Sequence, residues 1–333
     1  MFLNRKLSTV ISRDTNPYRN IAMEAYLLFK VQPGECILYL WQNRRTVVIG
    51  RNQNAWKECK IRELEQDGGD VARRLSGGGA VFHDLGNLNF TFLVRKEDYD
   101  IDRQSEVILR ALLKYHIHAE RTGRNDMVVD GKKFSGNAFY QTGDFCYHHG
   151  TLLIDVDREN MTRYLQVSQE KLKSKGVDSV RSRVTNLLPY APEITIAGMQ
   201  EALVWAAEQV YESPSEPLEE SRLDEGEIRR LEQHFASDEW KYGRKIPFQK
   251  RMEKRYPWGE AEVLMEVCAG RIQSIRVYSD ALDVDLIRRL EEKLPGCFYR
   301  AEVFAAAIAA IPAESELQEQ MKRDITALIW DFI

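Results

Sequence analysis

Arg73 and Arg74 stand just ahead of Leu75, Ser76 and an unbroken run of Gly77, Gly78 and Gly79, and the chain passes at once into Ala80, Val81, Phe82 and His83. Consecutive glycine N–H groups can form an anion-binding concavity, and an arginine at its entry can grip a carboxylate or phosphate through paired hydrogen bonds. Glycine costs backbone entropy, so such a run belongs where the chain turns sharply or closely approaches a ligand. It is no P-loop, because neither Lys-Ser/Thr nor GxGxxG accompanies it. A glycine-rich turn behind two surface arginines accounts for the same residues equally well. Neighbours on a strand point to opposite faces, so one arginine of the pair faces any ligand.

The same alternation bears on "GKKFSGNAF", where Lys132 and Lys133 diverge and one serves a shared site, unless both are solvated on a hairpin. Upstream, Asn125 and Asp126 in "GRND" offer a metal or nucleotide contact, or an Asx turn at a strand entry. In "HHGTLLIDV" the adjacent histidines diverge and lack a Cys, Asp or Glu cluster at ligand spacing, which argues against a metal. The basic stretch "KSKGVDSVRSRVTN" reads either as a solvated helix start or as a loop that closes on an anion.

Positioning these groups requires a sizeable fold. The 333 residues are 44% hydrophobic and 29% charged, enough for a full core and two domains. A formal net charge of -4 gives no bulk attraction to nucleic acid or to an anionic membrane, so an anion site must be local. Five scattered cysteines without a CxxC pair argue for reduced thiols. The N-terminus lacks a long apolar core and no apolar run reaches membrane-spanning length, so a cytoplasmic location is expected.

After Asn16-Pro17, Ile21, Ala25 and Leu28 share a helical stripe, while Ile37 to Trp41 and Thr46 to Ile49 read as a hairpin. Val107, Ala111 and Tyr115 mark an amphipathic helix, and Asp130-Gly131 suits a type I′ turn between two short strands. The acidic stretch "ESPSEPLEESRLDEGE" reads as an exposed connector before a helix around Ile228 to Phe235. A fresh strand series puts the domain break near Arg244 to Pro247, followed by a strand, a turn at Ala269-Gly270, another strand, and helices from about Asp283.

Taken together, "RRLSGGGAVFHDLGNLNFTF", "GRNDMVVDGKKFSGNA", "HHGTLLIDVD", "KGVDSVRSRVTNL", "YPWGEAEVLMEV" and "GCFYRAE" resemble bacterial lipoate-protein ligase in order and context, as do "NIAMEA" and "TVVIGRNQNAWKEC". The resemblance spans nearly the whole chain. It implies an α+β fold: a mixed β-sheet catalytic core of biotin/lipoate ligase type with flanking helices over 1–245, plus a small α+β C-terminal domain over 246–333. It also implies that lipoate and ATP, carried with Mg²⁺, form lipoyl-adenylate. The lipoyl group then passes to a lysine of lipoyl domains of 2-oxoacid dehydrogenase E2 subunits or of glycine-cleavage H protein. No nucleic acid or membrane partner is expected, and no tightly bound prosthetic group.

By the same resemblance, Arg74 and Gly77, Gly78, Gly79, Ala80, Val81 and Phe82 belong to an ATP- and lipoate-binding loop, and Lys133 contacts both substrates as the catalytic lysine. Lys175, Ser179, Arg181 and Arg183 belong to an adenylate loop. Asp126 is the Mg²⁺ candidate with Asn125 beside it. His83 either orients loop groups or is structural, and Glu24 matches only as part of the first helix, its plainer role being an ion pair with an arginine. The dithiolane tail needs an apolar slot between that helix and the sheet. Three rivals stand: an octanoyl or lipoyl transferase using a Cys146 thioester, a transferase fed preformed lipoyl-AMP, and a non-catalytic binding protein.

Overall fold

The computed structural model describes residues 6–123, 125–166, 184–218, 223–243 and 246–332. Two compact units emerge. The first contains residues up to Val48, Trp56–Arg73 and Val81–Lys241, and the second contains Ile49–Ala55, Arg74–Ala80 and everything from Tyr242 onward. The second unit is therefore not one continuous stretch of the sequence, because it includes the glycine run.

The first unit is built on an eight-stranded mixed sheet. Its strands are β1 (Lys6–Ile11), β2 (Glu35–Trp41), β6 (Asn87–Arg95), β7 (Glu120–Thr122), β8 (Asp126–Val129), β9 (Lys132–Thr142), β10 (Phe145–Leu153) and β11 (Ser215–Pro217), in the order β11-β1-β2-β6-β10-β9-β8-β7. β1 runs parallel to β2 and β11, and the remaining pairings are antiparallel. A second sheet of three strands joins β3 (Thr46–Ile49) to β4 (Asp70–Arg73) and β5 (Val81–His83).

One face of the large sheet carries the main core. Leu38, Phe90, Phe92, Phe134, Cys146 and Leu152 pack there with Val107 and Ala111 of the helix Ile101–Leu113 and Met199 and Leu203 of the helix Ile196–Tyr211. Each helix begins at a side-chain cap, Asp100 accepting from Arg103 N–H and Thr195 from Gly198 N–H, which satisfies an end group the helix cannot pair internally. The helix Pro17–Leu28 covers the opposite face, against β2, β6 and β10, with Asn16 as its cap and proline in its first turn. It is buried nearly all round, since the helix Glu225–Ala236 also packs on it.

Several expectations need correction. β2 and β3 are not a hairpin: β2 pairs with β6, whereas β3 pairs with β5 through Thr46–His83 and Val48–Val81. The acidic connector supplies β11, an edge strand whose Ser215 and Pro217 pair with Leu7 and Thr9. β9 is 11 residues long rather than a short strand.

In the second unit, β12 (Lys250–Tyr256), β13 (Gly259–Cys268) and β14 (Arg271–Ser279) form an antiparallel sheet. The helices Asp285–Lys293, Ala301–Ala309 and Glu316–Trp330 accompany it, and Val263, Met265, Leu290, Phe304 and Ile325 share their core.

Candidate functional site

A β-bulge creates the central feature of the first unit. Val128 pairs with Lys133 and Met127 with Ser135, so Phe134 is an extra residue on β9. Residues three apart on a regular strand point to opposite faces. The bulge cancels that alternation and brings Lys133 and Gly136 to the face that carries Asp126, the partner of Gly136. The Lys133 side chain then runs over Gly136 to an ion pair with Asp126, Nζ to Oδ1 2.6 Å. A Cβ on Gly136 would stand 2.7 Å from that nitrogen. Lys132, by contrast, is exposed. Val184 and Thr185 join the Lys133 backbone, Thr185 N–H donating to its carbonyl at 2.8 Å.

Cross-strand register extends this face. Thr151 Oγ1 accepts from Gly136 N–H at 3.2 Å. Thr91 lies opposite His149, and both reach the first helix at Glu24 Oε1, at 2.7 and 2.8 Å. Trp41 Nε1 donates to Thr91 Oγ1 at 3.1 Å. Glu24 is buried, and its partners are His149 and Thr91 rather than an arginine. Beside this buried polar network, on the helix-covered face of the sheet, stand the stacked rings of Tyr39 and Trp41.

On β5, His83 is buried edge-on to Trp41, and Asn43 Nδ2 meets its Nδ1 at 3.2 Å. Asn20 donates in turn to Asn43 Oδ1 and accepts from Tyr39. Phe82 points the other way and is buried against Tyr164, while Val81 is half-buried.

The glycine run belongs to the second unit. Arg74 is buried, and its guanidinium turns onto the run itself, donating to the carbonyls of Gly77 at 2.6 Å and Gly79 at 2.8 Å and to Ser76 Oγ at 3.0 Å. Gly78 has φ +89, and its N–H donates to the Ala281 carbonyl at 3.1 Å. A Cβ on Gly77 would fall 2.2 Å from that carbonyl oxygen. Close backbone approach therefore explains glycine at 77, and left-handed backbone explains it at 78. Arg73 turns elsewhere, to the carbonyls of Trp240 and Lys241.

Lys175, Ser179, Arg181 and Arg183 lie outside the described residues. Cys146 is fully buried on the opposite, apolar face, where desolvation pushes its thiol up to about 11. The two histidines diverge as strand alternation demands: His149 reaches Glu24, and His148 enters the other face between Gln104 and Asn137. Gly136, Thr91 and Thr151 carry no mark as site residues in the sequence, and His149 is weighed there only as a metal ligand. Glycine inside the strand pattern "KFSGNAF" was the available signal, since it marks a bulge or a close approach.

Comparisons with known proteins agree on one family. Residues 16–208 match the lipoyl protein ligase A/B catalytic domain, and residues 245–329 match the bacterial lipoate protein ligase C-terminus. Lipoate-protein ligase A of Psychrobacter cryohalolentis is 41% identical over 302 residues, covering 88% of this chain and 89% of that protein. Among solved structures, P. falciparum LipL1 in complex with lipoate is 28% identical with a TM-score of 0.86, covering 96% of this chain and 99% of its own. A bipartite lipoate protein ligase from Thermoplasma acidophilum, studied with its E2 lipoyl domain, is 26% identical with a TM-score of 0.64, covering 73% of this chain and 99% of its own. With catalytic and C-terminal domains both matched, the chain belongs to the lipoate-protein ligase family and is an enzyme of that kind.

Proposed function

We propose that the enzyme activates lipoate with ATP and transfers the lipoyl group to a protein lysine, and the observation that carries this reading is the Lys133 ammonium held over Gly136 beside Asp126. In the first half-reaction a lipoate carboxylate oxygen attacks the α-phosphorus, the bond from that phosphorus to the β-phosphate bridge oxygen breaks, and pyrophosphate leaves. Two anions approach each other, so a fixed cation where negative charge concentrates lowers the barrier. Lys133 supplies it on a strand, with Asp126 fixing its direction. In the second half-reaction the acceptor amine attacks the acyl carbon, an amide forms and AMP departs, the amine losing its proton; Lys133 stabilises the leaving phosphate.

Mg²⁺ fits as a companion of the triphosphate. Among the described residues no three His, Cys, Asp or Glu side chains gather as a metal cluster, and Mg²⁺ held on phosphates asks the protein for only one or two carboxylates. Asp126, with Asn125 next to it, is the carboxylate beside Lys133 and would take that part. Arg74 and the glycine run serve the nucleotide in this reading. The guanidinium shapes the loop by holding its carbonyls. Lipoyl domains of E2 subunits and glycine-cleavage H protein are the proposed acceptors. The T. acidophilum ligase was studied with its E2 lipoyl domain, which favours the first. Five free cysteines and the lack, among the described residues, of a helix long and apolar enough to cross a membrane suit a cytoplasmic enzyme.

The thioester alternative needs Cys146 as an accessible thiolate, and its burial and raised pKa speak against that. Lipoate-dependent exchange of labelled pyrophosphate into ATP tests the reading: exchange is expected, and its absence from folded enzyme that still uses preformed lipoyl-AMP would replace ligation by simple transfer.

A further inference from the structure

His148 lies on the face of β10 opposite the Lys133 ion pair, yet a continuous chain of hydrogen bonds joins it to the strand entry that carries Asp126. Its ring is fully buried among Phe90, Phe92 and Phe139, with the Phe139 centroid 4.9 Å away. Nε2 is 2.9 Å from Asn137 Oδ1, and Nδ1 is 3.2 Å from Gln104 Oε1. Asn137 Nδ2 donates to the Asn125 carbonyl at 3.1 Å, and Asn137 N–H donates to the same oxygen at 2.8 Å. Asn125 Nδ2 returns a bond to the Asn137 carbonyl at 3.0 Å. Asn125 is thus gripped three times by one residue, and the next residue is Asp126.

The donor count along this chain fixes the tautomer. Because the Asn137 amide nitrogen is committed to Asn125, its oxygen is the atom that meets Nε2, so Nε2 carries the hydrogen. Burial, with neighbouring His149 and the Arg121 guanidinium adding to it, pushes the imidazole down to about 3. A neutral ring has one N–H, so Nδ1 can only accept, and the tautomer therefore requires the Gln104 amide in its exchanged orientation, with the nitrogen in the place of Oε1.

We propose that His148 is a positioning residue of the ligase reaction: through Asn137 it fixes the Asn125–Asp126 strand entry and so the place of the Lys133 ammonium. This rests on the reading of Lys133 and Asp126 given under Proposed function. His148 touches no substrate. It acts by removing the rotational freedom of Asn137, and Gln104 on the helix Ile101–Leu113 anchors the far end of the chain.

The test pairs His148→Leu, which fills the aromatic nest without a donor, with His148→Gln, whose amide N–H can again reach Asn137. In His148→Leu, kcat for adenylate formation is expected to fall ~10- to 100-fold, the scale of a misplacement of about 1 Å caused remotely, while KM for lipoate changes little. His148→Gln should recover most of the loss. Asn137→Ala should lower kcat alike, and the double variant His148→Leu/Asn137→Ala should lose little more than either single one, because both cut one chain. Undiminished kcat in folded His148→Leu, or equal losses in the Leu and Gln variants, would overturn the proposal. Nitrogen-15 spectra of the parent protein give a readout independent of activity and of the variants' folding. An Nε2–H tautomer at His148 is expected, and an Nδ1–H tautomer would refute the chain. If the parent forms no lipoyl-AMP, the proposed function fails, whereas the chain is still decided by that tautomer and by the Asn125 and Asp126 amide shifts, which should move in His148→Leu and return in His148→Gln.

Discussion

Lys133 Nζ stands 2.6 Å from Asp126 Oδ1 after crossing β9 above Gly136, the position where any Cβ would meet the lysine chain. Gly136→Ala places that Cβ 2.7 Å from Nζ and 3.0 Å from Cε, the mobile end of a flexible side chain. The lysine moves aside at small cost, so stability should change by less than about 1 kcal/mol, within the range of minor substitutions. Adenylate formation should nonetheless fall ~100-fold, since the cation leaves its place. Parallel urea melts and pyrophosphate exchange check this, and unchanged exchange would mean that the position of Nζ is immaterial.

Lys133→Ala should lower adenylate formation by about 10²- to 10³-fold, the usual consequence of losing one electrostatic donor in a site. Lys132→Ala should leave it near the parental rate, because Lys132 is exposed on the outer side of the hairpin. Single-turnover formation of lipoyl-AMP distinguishes them, and comparable losses would show that the bulge does not select between the two lysines.

Cys146→Ser should retain ligation per folded molecule. The buried hydroxyl costs roughly 1–3 kcal/mol of stability if it finds no partner, so the variant should melt earlier but turn over normally. A trapped acyl-enzyme on Cys146 in the parent would contradict this.

The acid limb of stability carries the signature of His148. Its native pKa lies near 3 against an ordinary 6.5, so the native state refuses a proton that the unfolded chain accepts. The contribution is complete above pH 6.5 and is lost as pH falls toward 3, by at most about 1.4 kcal/mol per pH unit. His148→Gln removes this titration, so the loss between pH 7 and pH 4.5 in urea midpoints should be smaller than in the parent. Parallel curves would show that the ring protonates without penalty.

Local chemistry was legible in the sequence where one or two residues determine it. Asp130 and Gly131 take φ of 48 and 71, and Ala269 and Gly270 take 49 and 72, as tight turns between strands require. Asn16-Pro17 opens its helix for an equally local reason. Features set by distant partners were hidden. β3 looks like the continuation of a hairpin until β5 is available to pair with it. Lys133 stands out in the sequence, yet the bulge at Phe134 that turns it toward Asp126 is one unpaired residue, without a periodicity signal. Arg74 reads in sequence as a grip for a ligand, but the structure turns its guanidinium onto the carbonyls of its own loop. An ion pair with an arginine is the plainer expectation for Glu24, whereas cross-strand register brings His149 and Thr91 to it.

The most direct test follows the mass of an apo lipoyl domain incubated with the enzyme, lipoate and Mg²⁺, with and without ATP, alongside the Lys133→Ala variant. Carboxylate activation at the Lys133–Asp126 pair predicts a mass gain equal to one lipoyl amide that requires ATP and is almost lost in the variant. A gain without ATP, or an undiminished gain in Lys133→Ala, would contradict it.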